Sequence, residues 1–397
     1  MTSLLTSVRL LLMRRLRLFF RFQQQHGTIG VGWRLLLLGL LLPAGCEFSN
    51  SASVAEHAIQ RAVFESQLAP VPALQSPPAA MTASIAQFDF ASDFSEGLAA
   101  VKIGERYAYI DQTGRVVFNV PPDLDGVADF SEQRAIVRIS DLYGYIDQTG
   151  QVVVDPQYAS ANSYSQGLAV IRTGRGYGYL DRAGNLATDP EFTLAHDFSE
   201  GLAAVKLEGQ YGYINLMGDW IIRPQFQDAW SFAESLAVMK VGTQWGYLDR
   251  TGNVVIEPQF DGAFSFSESR GRVRQGNQWG FIDPQGKTAI APQFDFASDF
   301  SQERAAVLVG NKWGYVDPSG VLVIEPQFDY ASDFSEGLAA IKVGNQMGFI
   351  DRAGNLQIAP KFENVGAFSE GWAWVKSNEQ WRYIDPNGNF LGQQILQ

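Results

Sequence analysis

An aromatic residue recurs at a fixed interval along most of this chain. The row runs Phe94, Phe130, Tyr164, Phe198, Phe232, Phe266, Phe300, Phe334, Phe368, with a first step of 36 residues and every later step of 34. A second row keeps the same phase: Tyr107, Tyr143, Tyr177, Tyr211, Trp245, Trp279, Trp313, then Met347 as the exception, then Trp381. Glycine forms a third row, from Gly114 and Gly150 to Gly354 and Gly388. Three residue types locked in phase over nine copies define a tandem repeat. A unit this small cannot bury an aromatic face alone, so neighbouring copies must stack into one continuous core.

Copy five shows what a unit looks like. Leu236–Val241 alternates with the period of a β-strand, and Gly242-Thr243 supplies a tight hairpin turn. Gln244–Leu248 is a second strand, with Trp245 and Tyr247 on one face. In Asp249-Arg250-Thr251-Gly252 the aspartate can bond backbone amides and the glycine accepts positive φ. Asn253–Glu257 is the third strand, ended by Pro258, which has no N–H for a ladder. The expected fold is all-β: nine three-stranded antiparallel meanders of about 34 residues each over 85–397. They could form an open solenoid or superhelix, or a closed propeller-like ring. Nine copies exceed the usual four to eight blades, and 34 residues is short for a four-stranded blade. The last copy does not read as one that an N-terminal strand would complete, so the open array is favoured.

The phrase Trp313-Gly314-Tyr315-Val316-Asp317-Pro318-Ser319-Gly320, followed by Ile324-Glu325-Pro326-Gln327-Phe328, resembles the WG-repeat (KWG-repeat) family of bacteria. Phe334-Ser335-Glu336-Gly337-Leu338-Ala339 completes the pattern. Early copies depart from the name, with Tyr107-Ala108, Tyr143-Gly144, Tyr177-Gly178 and Tyr211-Gly212. The resemblance implies an extracytoplasmic or surface-associated repeat domain and no set of catalytic residues.

Residues 1–45 read as an address. Arg34 precedes Leu35–Leu38, Gly39, Leu40–Leu42 and then Pro43-Ala44-Gly45-Cys46, which resembles a lipoprotein signal with its lipobox, although Pro43 stands where leucine is usual. The apolar run falls short of the roughly 20 residues a spanning helix needs. Cys46, the sole cysteine, is the expected lipidation site, and it excludes an intrachain disulfide. The alternative is an ordinary secretory signal. The arginine-rich stretch before Val31 is long for a signal, so the true start could lie at Val31. Residues 46–84, rich in Ala, Pro and Ser, are expected to tether the anchor to the array.

The whole chain carries a formal charge of −12, although 1–45 contributes six arginines and no acid. So acidic a body lacks the basic footprint of a nucleic-acid binder. The aspartate row (Asp111, Asp147, Asp181, Asp249, Asp283, Asp317, Asp351, Asp385, with Asn215 in copy four) reads as turn capping rather than a metal comb, which needs converging oxygens. A cationic row (Lys102, Arg138, Arg172, Lys206, Lys240, Arg274, Lys342, Lys376) and an acidic one (Glu96, Glu132, Glu200, Glu234, Glu268, Glu336, Glu370, with Gln166 and Gln302) suggest a solvated, salt-bridged face. His26, His57 and His196 are scattered.

Whatever repeats in every copy is discounted as scaffolding, so the departures carry the functional interest. Copy six has Arg270-Gly271-Arg272-Val273-Arg274 where others read Leu-Ala-Ala-Val-Lys, placing three guanidinium groups on one strand face. Such groups suit an anionic ligand or acidic partner, or they pair with neighbouring carboxylates. Met347 and the Trp372/Trp374 pair are weaker departures of the same kind. No motif points to catalysis, a metal or a cofactor. The expected function is a lipid-anchored cell-envelope scaffold that binds a protein or an envelope polysaccharide. The alternative is a purely structural spacer, and a carbohydrate-active enzyme is a distant third.

Overall fold

The computed structural model describes Gln87–Gly392. The address, Cys46 and the tether lie outside these residues. Within them there is no helix, and the strands fall into nine separate antiparallel sheets. Each sheet takes its strands in sequence order. In copy seven these are Phe296–Ala297, Ala305–Val309, Lys312–Val316 and Leu322–Phe328.

The unit therefore has four strands, not three. In seven copies the additional one is two residues long, such as Asp228–Ala229 in copy five, which pairs with Met239 and Lys240; in copies two and six it runs six residues, Gly126–Ser131 and Gly262–Ser267. Two residues cannot display a period, so the alternation that marks the other strands is absent. The last strand also runs past its proline, over Val254–Phe260. Pro258 does not end it, because the ladder shifts register between Trp245↔Phe260 and Tyr247↔Ile256 and needs no amide there. Gly246 makes this bulge feasible: a Cβ on it would lie 2.5 Å from the Ile256 carbonyl oxygen. Copy one has Ala108 instead, its fourth strand Val116–Asn119 pairs differently, and Pro121-Pro122 follow, which accounts for the first step being 36 residues.

The nine sheets close into a ring. The last copy has only three named strands, Asn364–Val365, Ala373–Ser377 and Gln380–Ile384. Its missing edge comes from both ends of the repeat. Phe390 bridges Ile384, and Phe88 exchanges two 2.9 Å backbone hydrogen bonds with Trp381. Phe88 thus takes the place that Phe328 holds opposite Trp313. The open array of three-stranded meanders is corrected on both counts: four strands build seven of the blades, with the fourth edge of copies three and nine reduced to isolated bridges, and the ring closes as a nine-bladed β-propeller. Gln87-Phe88-Asp89-Phe90-Ala91-Ser92-Asp93-Phe94 is the tail of the phrase that recurs as Gln293–Phe300, and its front half is what copy nine retains.

The Phe94 row forms the core between blades, each member at most 3% exposed. At all nine interfaces it meets the ring of the neighbouring blade with centroids 4.7–5.0 Å apart, from Tyr109–Phe130 round to Phe94–Tyr383. The tilted and edge-on geometries suit aromatic quadrupoles and contribute roughly 0.5–1.5 kcal/mol per pair beyond burial.

Candidate functional site

The recurring polar residues can be followed to their partners. Each blade's first and second strands are joined by a tight turn in which Glu96, Glu132 and their counterparts have φ near +50°. The following residue is also left-handed, whether Gly97 or Gln133, as a two-residue hairpin of this hand requires. A non-glycine residue in that region is strained unless something holds it. Here the side-chain oxygen of each Glu or Gln accepts the backbone N–H of the same turn one blade on. The nine bonds span 2.7–3.0 Å and run from Glu96–Gln133 round to Glu370–Gly97. Gln166 and Gln302 serve as well as glutamate, because the bond needs an acceptor rather than a charge. The acidic row is thus a belt joining blade to blade, and Glu132 in it also pairs with Arg182 at 2.7 Å.

Two further belts run beside it. Serine hydroxyls donate to the carbonyl of the next blade's core aromatic, as in Ser95–Phe130 and, across the closure, Ser369–Phe94, each at 2.7 Å. Ala233 breaks that series. Buried tyrosines such as Tyr213, Tyr315 and Tyr383 donate to a carbonyl of the next blade at 2.6–2.8 Å. Burial pushes each of their phenols well above its ordinary value, and carboxylates nearby (Asp228, Asp333, Asp129) add to the effect.

The aspartate row does what turn chemistry requires. Oδ1 of Asp249 accepts the Thr251 and Asn253 amides at 2.9 Å, and Asn215 does the same for Met217 and Asp219. The Thr251 hydroxyl, then the Asn253 amide, hold the Asp249 carboxyl down to about 2 against the opposing cost of burial. No cluster of metal-ligating side chains is present among the described residues.

Two members of the cationic row make ion pairs, Arg138 with Asp125 at 2.8 Å and Lys102 with Glu105 at 4.0 Å, and the lysines also share a second kind of contact. Four of the lysines lie across the hairpin from a ring of the second aromatic row: Lys102–Tyr107, Lys206–Tyr211, Lys240–Trp245 and Lys376–Trp381 have the ammonium 5.0–5.7 Å from the ring centroid. Apart from the buried Tyr211, these rings are half-buried, and they lie at the hairpin end of their sheets. Across copies five to eight they join the first-strand aromatics in an unbroken track, Trp245–Trp230–Phe264–Trp279–Phe296–Trp313–Tyr330, with centroids 5.0–6.3 Å apart. Phe296 and Tyr330 are its most exposed members, at 39% and 44%. Such a rim offers flat apolar faces beside cations.

The three arginines of copy six do not converge on a common space. Arg270 donates to the Pro318 carbonyl of the next blade, as Arg304 does to that of Arg352. Arg274 reaches the Asp261 and Gly276 carbonyls beside Trp279. Arg272 is 6% exposed, where other blades have Ala100, Ala204, Ala306 or Ala340. Its Nε donates to Asp299 at 2.9 Å, Nη1 donates to the Ala297 carbonyl, and the guanidinium lies 3.8 Å from the Phe264 centroid with Trp279 and Phe296 on its other sides. Burial raises the Asp299 carboxyl while Arg272 opposes the shift. Asp299, Phe264 and Phe296 belong to this constellation and escaped sequence reading, since each sits in an ordinary repeat position. Phe264 did carry a signal: that position is Ser92, Ser298 or Ser332 in copies with the commonest phrase.

Fold and rim together define an all-β repeat propeller. The family model described as "WG containing repeat" matches nine successive segments, from 85–107 through 177–211 and 313–346 to 347–381. The chain belongs to that family. No curated protein matches it significantly. Among solved structures, a eukaryotic initiation factor is similar with a TM-score of 0.53 and 12% identity, covering 79% of this chain and 94% of that one. The likeness is one of fold alone. PorZ, a surface component of the type-IX secretion system of Porphyromonas gingivalis, gives 0.32 and 11%, covering 78% and 52%. Hsv2p of Kluyveromyces lactis gives 0.35 and 11%, covering 57% and 91%.

Proposed function

We propose that this chain is a rigid, non-catalytic scaffold, held at a cell-envelope membrane on the extracytoplasmic side through a lipid on Cys46. One observation carries the scaffold reading: the polar rows that repeat round the ring are consumed within it, each glutamate, serine, tyrosine and turn aspartate meeting backbone of its own or the next blade. A group so engaged holds shape rather than recognising a ligand. A second reading is favoured by the aromatic track, which presents half-buried rings and lysines along the rim and suits a protein or an envelope polysaccharide. Photo-crosslinking from residues 279, 296 and 330 in intact envelopes separates the two. The scaffold reading expects no reproducible adduct, and capture of one partner at the rim overturns it in favour of the second. Mass spectrometry of Cys46 tests the anchor: a diacylglyceryl adduct supports it, and a free thiol or an absent Cys46 peptide in the mature protein contradicts it.

A further inference from the structure

One end of the aromatic track lies at Tyr330. Beyond Tyr330 its next members would stand at the positions occupied by Met347 and Asn364, which in the preceding blade are Trp313 and Tyr330. Two more side chains shrink beside them, Gly366 and Ala367 standing where that blade has Ser332 and Asp333. The result is a cleft of about 560 Å³ between the eighth and ninth blades, within the range of small-molecule sites. Its outer wall is the exposed ring of Tyr330, Met347 and Val365 supply apolar surface, and Gly366 is covered by the Trp374 indole. Met347 and Trp374, two departures from the repeat far apart in appearance, thus meet at one site.

The polar groups of the cleft are unevenly matched. Lys342 lies across the hairpin from Met347, so it lacks the ring that the other lysines of its row lie over. Among the described residues no carboxylate lies within ion-pair distance of it either. Asp329, the acid on the same wall, is engaged by Lys312 at 2.7 Å and by the Gly344 amide at 2.6 Å. Asn364 Oδ1 accepts the Val365 amide, which leaves its Nδ2 to donate. Ser332 Oγ is occupied by the Ala340 amide and the Asp333 carbonyl. After Lys312 and the Gly344 amide, Lys342 also helps to hold the Asp329 carboxyl down, so what remains is one ammonium without a direct ion pair and one amide donor beside a flat ring.

We infer that this cleft binds a single carboxylated sugar ring, a hexuronate residue of an acidic glycan. A lone ammonium suits a monoanionic carboxylate, whereas a phosphate dianion is better met by guanidinium forks or clustered backbone amides. The Tyr330 face takes the C–H side of a pyranose, and Asn364 donates to a ring hydroxyl. This site goes beyond the scaffold reading and does not depend on it.

The test titrates the full chain with sodium glucuronate by calorimetry and ligand-observed NMR, with glucose and benzoate as controls. Glucuronate is expected to bind in preference to both. Lys342→Met weakens it about tenfold or more, the loss that one charge-assisted hydrogen bond carries. The double variant Met347→Trp with Asn364→Tyr restores the preceding blade's residues, and it is expected to abolish binding at an unchanged melting temperature. No binding, equal binding of glucose, preference for benzoate, or binding that survives the double variant overturns the assignment. None of these outcomes bears on whether the ring acts as a scaffold.

Discussion

Replacing Arg272 by alanine removes a buried guanidinium from the interface between the sixth and seventh blades, and its cost can be worked from the contacts. The Nε bond to Asp299 is charge-assisted, about 1.5–3 kcal/mol, and the Ala297 carbonyl loses its donor for roughly 1 kcal/mol more. Desolvated contact with the Phe264 face adds about 1–2 kcal/mol. Against this, the Asp299 side chain is 40% exposed, so water re-solvates it in part. The expected net loss is about 3 kcal/mol, at the low end of the roughly 3–5 kcal/mol for breaking a buried pair. Chemical denaturation reads the total, and amide hydrogen exchange should localise the loss to Ala297–Asp299 and the second strand of blade six. Adding Asp299→Ser should recover about half, because Ala204 facing Ser231 already provides that combination elsewhere. A change below about 1 kcal/mol with unaltered exchange would refute the view that Arg272 is structural, and would revive Arg270, Arg272 and Arg274 as a ligand site.

Other outcomes follow from the same contacts. Gly246→Ala drives a Cβ against the Ile256 carbonyl and should cost at least about 2 kcal/mol by denaturant titration. Glu200→Ala frees the Ser235 amide and should cost about 1 kcal/mol in the same assay, while Glu200→Gln stays near wild type. Stability should peak in mildly acidic solution. Burial raises the Asp93, Asp129 and Asp299 carboxyls, so their contribution is complete below the unfolded value near 3.8 and is lost as pH rises through their folded values. Asp249 is depressed to about 2, so its contribution holds above the unfolded value and is lost as pH falls towards 2. Melting temperature against pH checks this, and Asp249→Asn, the residue copy four carries as Asn215, should soften the acid limb.

What could be read from the chain was whatever has a period longer than its noise. The hairpin of Leu236–Val241 with Gln244–Asp249 and the capping by Asp249 follow from residue type and spacing. The first strand escaped because in seven of the nine copies it is two residues, which show no alternation, and without it the unit is too short for a blade. The acidic and cationic rows were legible as rows but not as partners. Sequence puts them in register without saying that one reaches the next blade's amides and the other the ring across its own hairpin. Ring closure hung on Gln87-Phe88, a fragment too brief to stand out from the tether before it.

Closure itself is the central claim, and a cysteine pair tests it most directly. Phe88 and Trp381 exchange both backbone hydrogen bonds, a pairing that sets Cα atoms about 5.5 Å apart and within reach of a disulfide. With Cys46 replaced by serine, Phe88→Cys with Trp381→Cys should oxidise to an intramolecular bridge, giving a monomer of increased mobility on non-reducing gels that reverts on reduction. Single-cysteine controls should not show it. An open array would hold these residues at opposite ends of the repeats, so a product that is only reduced monomer or intermolecular dimer would contradict the ring.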